Sequence, residues 1–148
     1  MNEQINIVTE PTADQLKSFF NLLVELRPQL TWSVFQDIYD QAAKSDSYKL
    51  VGLMSKGEIV AVMGYRILYD FLHGKHIYID DLVTASAHRS KGFGAVLLAF
   101  AEQQAAEHQC FNLRLCTGND NHSGQKFYLK NGWSQRALVY KKKMASQN

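Results

Sequence analysis

A strand, a glycine-containing loop and a helix follow one another in the second half of the chain, and this succession restricts the fold most. Residues 76–84 are rich in β-branched and aromatic residues, which is typical of a strand. The next residues contain Arg89, Gly92 and Gly94 in the pattern R-x-x-G-x-G, and residues 95–101 have helical periodicity. Because glycine lacks a Cβ atom, backbone N–H groups can approach an anion, which the helix dipole also attracts. The pattern predicts a pyrophosphate site, with an ordinary helix start as the alternative.

This strand and helix begin a βαβ crossover, because a further strand is predicted at residues 110–117. Such crossovers join parallel neighbours in a sheet. Earlier in the chain, two extended segments around a Lys56-Gly57 turn predict an antiparallel hairpin. The chain is therefore predicted to be a mixed α/β protein. The other predicted elements are a strand at 4–8, helices capped by Thr12 with Gln15 and by Ser33 with Gln36, a short helix ending at Lys130, and a final strand from Trp133 to Met144.

Composition and charge restrict the class of protein. The 148 residues, 46% of them hydrophobic, predict one domain over 1–148 with a substantial core. The net charge is only +2, and the sequence shows no basic face interleaved with aromatic residues. Both observations argue against nucleic-acid binding. We expect no membrane segment, since no apolar run reaches the spanning length. Cys110 and Cys116 are too far apart along one predicted strand to form a disulfide, so we expect reduced thiols and a cytoplasmic location.

Three motifs occur in one order between residues 89 and 133. They are Arg89-x-x-Gly92-x-Gly94, an Asn121 seven residues before Tyr128, and Tyr128-Leu-Lys-Asn-Gly132-Trp133. Together they make the chain resemble the GNAT superfamily of acyl-CoA N-acyltransferases. The resemblance implies a mostly antiparallel mixed sheet of six or seven strands with a splayed parallel central pair, flanked by about four helices.

The resemblance also implies acetyl-CoA as the co-substrate. A splayed pair leaves backbone groups of Leu82, Val83 and Thr84 without a sheet partner, and the amide-bearing pantetheine arm supplies one. The Asn121 side chain contacts the cofactor in this interpretation; an N-cap of the last helix is its alternative role, and both roles can hold together. The residues implied to hold the pyrophosphate are Arg89, Ser90, Lys91, Gly92, Phe93, Gly94 and Ala95.

Acyl transfer from a thioester to an amine needs a base, a polarised carbonyl and an acid for the departing thiolate. By the resemblance, Tyr128 is the acid beside the coenzyme A sulfur, with Phe127 beside it in the core. The backbone N–H groups of Val83 and Thr84 are expected to polarise the carbonyl.

Asp80 and Asp81 are the candidate bases, because they interrupt an apolar strand in which an ionised side chain must be exposed or paired. Strand alternation predicts that they face opposite sides of the sheet, so that one of them faces the substrate. The resemblance favours Asp80 as the base and Asp81 as the second choice. The alternative role is an ion pair at the strand end, with Arg66, Lys75 or Arg89 as the partner.

His73, His76 and His88 show no metal-ligand spacing with a cysteine or a carboxylate, so we expect surface or turn positions and no metal site. The sequence thus predicts an N-acetyltransferase that acts on a primary amine of a small molecule or peptide, by direct attack within a ternary complex. A non-catalytic acyl-CoA-binding or sensor domain is the alternative. A dinucleotide-binding domain is disfavoured, because the third glycine of that fingerprint is missing.

Two features bear on partners. Acidic residues, including Asp80 and Asp81, favour a cationic substrate by electrostatic steering, although solvated surface charge is the alternative. The exposed edge of the predicted final strand offers a surface through which a homodimer can form. The alternative is that the charges of Lys141, Lys142 and Lys143 prevent this edge from pairing with another chain.

Overall fold

A computed structural model describes residues 4–145 of the chain. Over that range it contains five strands and four α-helices, which confirms the mixed α/β class and the number of helices. Within the described part, no helix is long and apolar enough to cross a membrane. The elements are β1 (Ile5–Val8), α1 (Ala13–Leu26), α2 (Trp32–Ser45), β2 (Lys49–Ser55), β3 (Glu58–Asp70), β4 (Gly74–Thr84), a short 3-10 helix (Ser86–His88), α3 (Phe93–Glu107), β5 (Asn112–Leu115) and α4 (His122–Lys130).

The strands form one sheet in the order β1-β2-β3-β4-β5. The first four strands pair antiparallel, whereas β4 and β5 pair parallel and are joined by α3. This confirms a mostly antiparallel sheet with one parallel pair. Since β5 is the last strand of the sheet over residues 4–145, the pair lies at an edge rather than at the centre.

The predicted final strand is wrong. Residues 133–145 contain no regular secondary structure, so the described residues hold five strands instead of six or seven. Leu138, Val139 and Tyr140 leave 71%, 69% and 89% of their surface exposed. β-propensity mainly reflects how side chains pack against neighbouring strands. Residues 133–145 have a strand-like sequence but no such packing, so they do not form a strand.

The chain divides into two compact units, Met1–Leu115 and Cys116–Asn148. The first contains the sheet with α1, α2 and α3, and the second contains α4. A single domain over 1–148 stays a prediction.

α1 begins at the predicted capping box. Thr12 Oγ1 accepts a hydrogen bond from the Gln15 N–H at 3.2 Å, and Gln15 Oε1 accepts one from the Thr12 N–H at 3.0 Å. α2 begins two residues earlier than predicted, because Thr31 rather than Ser33 supplies the cap. Its Oγ1 accepts from the Val34 N–H at 3.3 Å, and α2 therefore starts at Trp32.

Adjacent positions of β3 face two different layers. Tyr65 is buried and meets Phe100 of α3, with 6.4 Å between the ring centroids. Its neighbour Gly64 faces the layer of α1 and α2, where a Cβ atom would collide with the Tyr48 side chain. The core on that side includes the fully buried Phe19 of α1. This two-layer arrangement tells which side of the sheet each residue of β4 faces.

His76 lies inside the protein rather than at the predicted surface or turn position. Its side chain is fully buried in β4, and Nδ1 lies 2.8 Å from the carbonyl oxygen of Gly74. His73 lies in the turn between β3 and β4, where it contacts Asp70 at 3.0 Å. The spacing Asp70-x-x-His73-x-x-His76 therefore brings three potential metal ligands together, which the sequence analysis missed.

Candidate active site

The parallel pair of strands parts halfway along β4. The register with β5 runs from His76, opposite Asn112, to Ile79, opposite Leu115. β4 continues to Thr84, still paired with β3 on its other side. Residues 80–84 therefore have no β5 partner within the described range, which is the open edge that a splayed pair creates.

The backbone of this open edge alternates in direction. The Ala85 N–H donates to the carbonyl of Val60 at 2.8 Å, at the end of the β3–β4 ladder. In an antiparallel pair, backbone groups point alternately toward and away from the partner strand. Leu82 and Thr84 therefore direct their backbone groups away from β3, whereas those of Val83 point toward it. This geometry favours Leu82 and Thr84 over Val83 for pairing with an extended ligand.

The glycine loop leads directly into an α-helix. Gly92 is the N-cap of α3 with φ of 83° in the left-handed region, and the cap has no side-chain hydrogen bond. A Cβ atom at this position would meet nothing within 4 Å, so the positive φ rather than crowding calls for glycine. The N–H groups of Phe93, Gly94 and Ala95 form the first turn of α3, where an anion is attracted by the helix dipole.

Basic side chains lie around the same loop. Arg89 Nε donates to the Thr84 carbonyl over a long 3.5 Å, and Lys91 Nζ donates to His88 Nδ1 at 3.2 Å. His88 Nε2 is 3.4 Å from a carboxylate oxygen of Glu58. Ser90 has a positive φ of 68°. The loop thus combines free helix-start N–H groups with two nearby cationic side chains, which suits a phosphate-bearing ligand.

Asp80 and Asp81 lie on the same face of the sheet, so the predicted opposite orientation is wrong. The register shifts between Gly64, opposite Asp81, and Tyr65, opposite Ile79, which leaves Asp80 as the extra residue of a β-bulge. Asp81 reaches Tyr48, which lies over Gly64, and Asp80 reaches Arg66, which lies two positions from Gly64 on the same face. The bulge therefore directs both carboxylates toward the layer of α1 and α2.

Asp80 forms a bidentate ion pair with Arg66. Arg66 Nε donates to Oδ2 at 2.9 Å and Nη2 donates to Oδ1 at 2.8 Å. This is one of the ion pairs named as the alternative role of Asp80. Burial of the carboxylate nevertheless raises the pKa of Asp80 above its usual value, against the lowering effect of Arg66 and with a further increase from the charge of Asp81. Asp80 thus takes up a proton more readily than an exposed aspartate.

Asp81 is held by two residues that the sequence analysis missed. Tyr48 Oη donates to Oδ2 at 2.9 Å, and Arg27 Nη2 donates to Oδ1 at 3.2 Å. Arg27 also donates to the carbonyl of Asp80 at 3.2 Å and so bridges the bulge. Burial, and then the Asp81 charge, raise the pKa of Tyr48 well above its usual range, so its phenol stays protonated.

The signal for the Tyr48 contact is Gly64, a glycine inside an apolar strand. Such a glycine often marks a bulge or a close approach by another group, and here the Tyr48 ring passes over it. No comparable local signal exists for Arg27, since 54 residues separate it from Asp81.

In the second unit, Asn121 caps α4, which confirms its alternative role. Its Oδ1 accepts from the Gly124 N–H at 3.0 Å and from the Ser123 hydroxyl at 3.3 Å. Its Nδ2 donates to Thr117 Oγ1 at 2.9 Å. Contact with a cofactor stays a prediction. The amide oxygen and the amide nitrogen of Asn121 both form hydrogen bonds already, so a cofactor would have to share them.

Tyr128 lies on α4 between two aromatic neighbours. The centroids of the Phe127 and Trp133 rings lie 5.2 Å and 5.9 Å from its own. Phe127 and Tyr128 are both half-buried, so Phe127 is not the buried residue that was expected. Burial raises the pKa of the Tyr128 phenol, which therefore keeps its proton at neutral pH.

The chain matches a family model and two curated proteins along most of its length. The model described as the acetyltransferase (GNAT) family matches residues 14–133. An uncharacterized N-acetyltransferase, YhdJ, of Bacillus subtilis is 27% identical over 83% of this chain and 87% of its own. The aminoalkylphosphonate N-acetyltransferase of Salmonella typhimurium is 24% identical over 88% of this chain and 86% of its own.

Solved structures of low sequence identity have the same fold. The aminoglycoside N-acetyltransferase AAC(6')-Iy in complex with CoA has a TM-score of 0.82 at 16% identity, covering 97% of this chain and 98% of its own. Glucosamine-6-phosphate N-acetyltransferase from Arabidopsis thaliana has a TM-score of 0.75 at 24% identity, covering 97% and 100%. At such identities the likeness concerns the fold alone.

Proposed function

Because the chain belongs to the acetyltransferase (GNAT) family, we propose that it transfers an acetyl group from acetyl-CoA to a primary amine of a small molecule or peptide. The amine attacks the thioester directly while both substrates are bound. The observation that carries the proposal is the open edge of β4 at residues 80–84, followed within a few residues by the uncapped N-terminus of α3. A rod-shaped ligand with amides at one end and phosphates at the other matches these two features.

The pantetheine arm of acetyl-CoA pairs, in this proposal, with the backbone of Leu82 and Thr84. Their N–H and C=O groups point away from β3, where an extended ligand can pair with them, and the Thr84 carbonyl would exchange its long hydrogen bond from Arg89 for one from the ligand. The pyrophosphate lies on the loop of residues 89–95, where Arg89 and Lys91 add positive charge to the N–H groups of α3. The N–H groups of Val83 and Thr84 are the ones predicted to polarise the acetyl carbonyl. That of Thr84 points away from β3, which supports its role, whereas that of Val83 points toward β3.

Asp80 takes a proton from the substrate ammonium, directly or through a water molecule, and the neutral amine that results attacks the thioester. Its carboxylate has about four lone-pair positions, and Arg66 uses two of them. The raised pKa of Asp80 supports proton uptake. Asp81, whose two oxygens are held by Arg27 and Tyr48, fixes the bulge that carries Asp80 and remains the second candidate.

Tyr128 donates a proton to the departing thiolate of coenzyme A. The phenol is protonated at neutral pH and so has a proton to give, whereas burial, which raises its pKa, makes it a weaker acid than an exposed tyrosine.

The charges around the bulge do not favour a strongly cationic amine. Arg66 pairs with Asp80 and Arg27 pairs with Asp81, so the two carboxylates add little net negative charge. An amine that also carries an anionic group, such as an aminoalkylphosphonate, the substrate class in the name of the Salmonella relative, therefore belongs in the panel beside aminoglycosides.

The proposal is tested first by calorimetric titration of acetyl-CoA, with NAD and desulfo-coenzyme A alongside. Turnover is then followed as thiol release over a panel of aminoalkylphosphonates, amino sugars, aminoglycosides and peptides. Selective acetyl-CoA binding with amine-dependent thiol release supports the enzyme. Binding without turnover on any amine supports the sensor alternative, and no acetyl-CoA binding overturns both.

A cytoplasmic location and a homodimer remain part of the proposal. The location is supported by the free thiol of Cys110, since disulfides are rare in the cytoplasm. Since residues 133–145 form no strand, the dimer is supported by the exposed apolar side chains of residues 138–140 and not by a strand edge. Size-exclusion chromatography with light scattering measures the oligomeric state.

A further inference from the structure

Three potential metal ligands meet where β3 turns into β4. Asp70, His73 and His76 each offer a ligand atom, and these atoms all lie within 4.8 Å of one another. Asp70 Oδ2 is 3.0 Å from His73 Nδ1 and 3.9 Å from His76 Nε2. Two imidazole nitrogens and one carboxylate oxygen are a donor set for a divalent transition metal such as zinc.

Two hydrogen bonds hold the turn that carries Asp70 and His73. The Asp70 Oδ1 atom accepts from the His73 N–H at 2.6 Å, which fixes the carboxylate over the turn. Asn112 of β5 donates through Nδ2 to the His73 carbonyl at 2.9 Å and holds the turn from the other side. Such preorganisation lowers the cost of assembling a site around an ion.

The tautomer of His76 suits a metal ligand. Its Nδ1 lies 2.8 Å from the Gly74 carbonyl, which can only accept, so Nδ1 carries the hydrogen. The lone pair of the neutral ring is then on Nε2, the atom that faces Asp70. A backbone carbonyl on the second ring nitrogen is the usual support of a metal-bound histidine.

Arg114 competes for the same lone pair. Its Nε donates to His76 Nε2 at 3.1 Å, while its guanidinium lies 4.6 Å from the centroid of the Tyr78 ring. An incoming ion has to replace this hydrogen bond, and the guanidinium charge opposes a cation nearby. Arg114 therefore limits the affinity of the site.

We infer that Asp70, His73 and His76 form a binding site for a divalent transition metal ion, with Zn²⁺ as the best match, whose affinity Arg114 limits. Solvent completes the coordination, since Asp70 and His73 are partly exposed. Leu82, the nearer of the two residues proposed to pair with the pantetheine arm, lies six positions after His76 in β4, about 20 Å at the rise of a strand. The metal site is therefore distinct from the proposed acetyl-CoA site, and it would cross-link the end of the β3–β4 hairpin.

The test is calorimetric titration of the full chain, without a histidine tag, with zinc chloride. Titration with magnesium chloride is the control for a hard cation. We expect one Zn²⁺ per chain and no Mg²⁺ binding, because a site with two nitrogen ligands disfavours Mg²⁺. Asp70→Asn, which keeps an acceptor for the His73 N–H, and His73→Gln should each weaken Zn²⁺ binding about tenfold or more. His108→Gln, a histidine at the end of α3, is the matched control and should bind as the wild type does.

Arg114→Met tests the role of the guanidinium. It keeps side-chain length while freeing His76 Nε2, so Zn²⁺ should bind more tightly than to the wild type. Unfolding temperature with and without Zn²⁺ gives a second readout, and the ion should raise it in the wild type but not in Asp70→Asn. Absence of saturable wild-type binding, or equal Zn²⁺ affinity in wild type, Asp70→Asn and His73→Gln, overturns the site. Unchanged affinity in Arg114→Met overturns His76 as a ligand.

Discussion

The substitution Tyr48→Phe isolates the hydrogen bond that holds Asp81. It deletes the phenolic oxygen that donates to Asp81 Oδ2 at 2.9 Å and keeps the ring that packs beside Tyr39. A hydrogen bond to an ionised group contributes about 1.5–3 kcal/mol to stability. Asp81 keeps Arg27 and leaves 19% of its side chain exposed, which favours the lower end of that range. We therefore expect a loss of about 1.5 kcal/mol in the free energy of unfolding, about a tenfold fall in the folded-to-unfolded ratio.

Urea unfolding at neutral pH measures this loss. The midpoint should fall with an unchanged slope, since the surface exposed on unfolding hardly changes. Tyr69→Phe is the matched control, because Tyr69 is 73% exposed. A loss in Tyr48→Phe no larger than in Tyr69→Phe would refute the assigned role of the hydrogen bond.

The same variant has a second signature in alkali. Burial and the Asp81 charge raise the pKa of Tyr48 in the folded chain, whereas an unfolded tyrosine ionises at about pH 10. Above that pH the unfolded chain binds fewer protons than the folded one, so stability falls as pH rises, by up to about 1.4 kcal/mol per pH unit for one group. Tyr48→Phe should reduce the slope by about that amount. Identical slopes in variant and wild type would contradict the reasoning.

Three further predictions concern catalysis and cofactor binding. Asp80→Asn should lose most acetyl transfer at neutral pH and recover at high pH, where the amine is already free and needs no base. Asp81→Asn should keep the wild-type pH profile. A wild-type pH profile in Asp80→Asn would mean that another group is the base. Tyr128→Phe should lower kcat by about 10²-fold or more with unchanged acetyl-CoA affinity in calorimetry, and unchanged turnover removes Tyr128 as the acid. Gly92→Ala should cost about 1 kcal/mol of stability and weaken acetyl-CoA binding, since alanine disfavours the positive φ; Gly118→Ala, in open space, is the control.

The bulge at Asp80 shows why part of the site was beyond sequence reasoning. Period-two alternation predicted opposite faces for Asp80 and Asp81, and one extra residue in the ladder put both on the same face. A bulge depends on how β4 pairs with β3; Gly64 can mark a bulge on β3, but the residues of β4 do not show that Asp80 is the extra one. The ion pairs to Arg66 and Arg27 likewise join residues 14 and 54 positions apart.

Local patterns determined much of the rest. The Thr12 capping box, the glycine at the start of α3, the cap at Asn121 and the parallel β4–β5 pair were all predictable, because each depends on residues close in sequence or on the handedness of one crossover. The final strand was not, because residues 133–145 have the composition of a strand but not the packing of one. The sequence by itself determined the family, the order of the elements as far as α4 and the glycine at the start of α3. Tertiary structure alone decided which face the acids share, which side chains neutralise them and which histidine is buried, because strand register and long-range packing set those contacts.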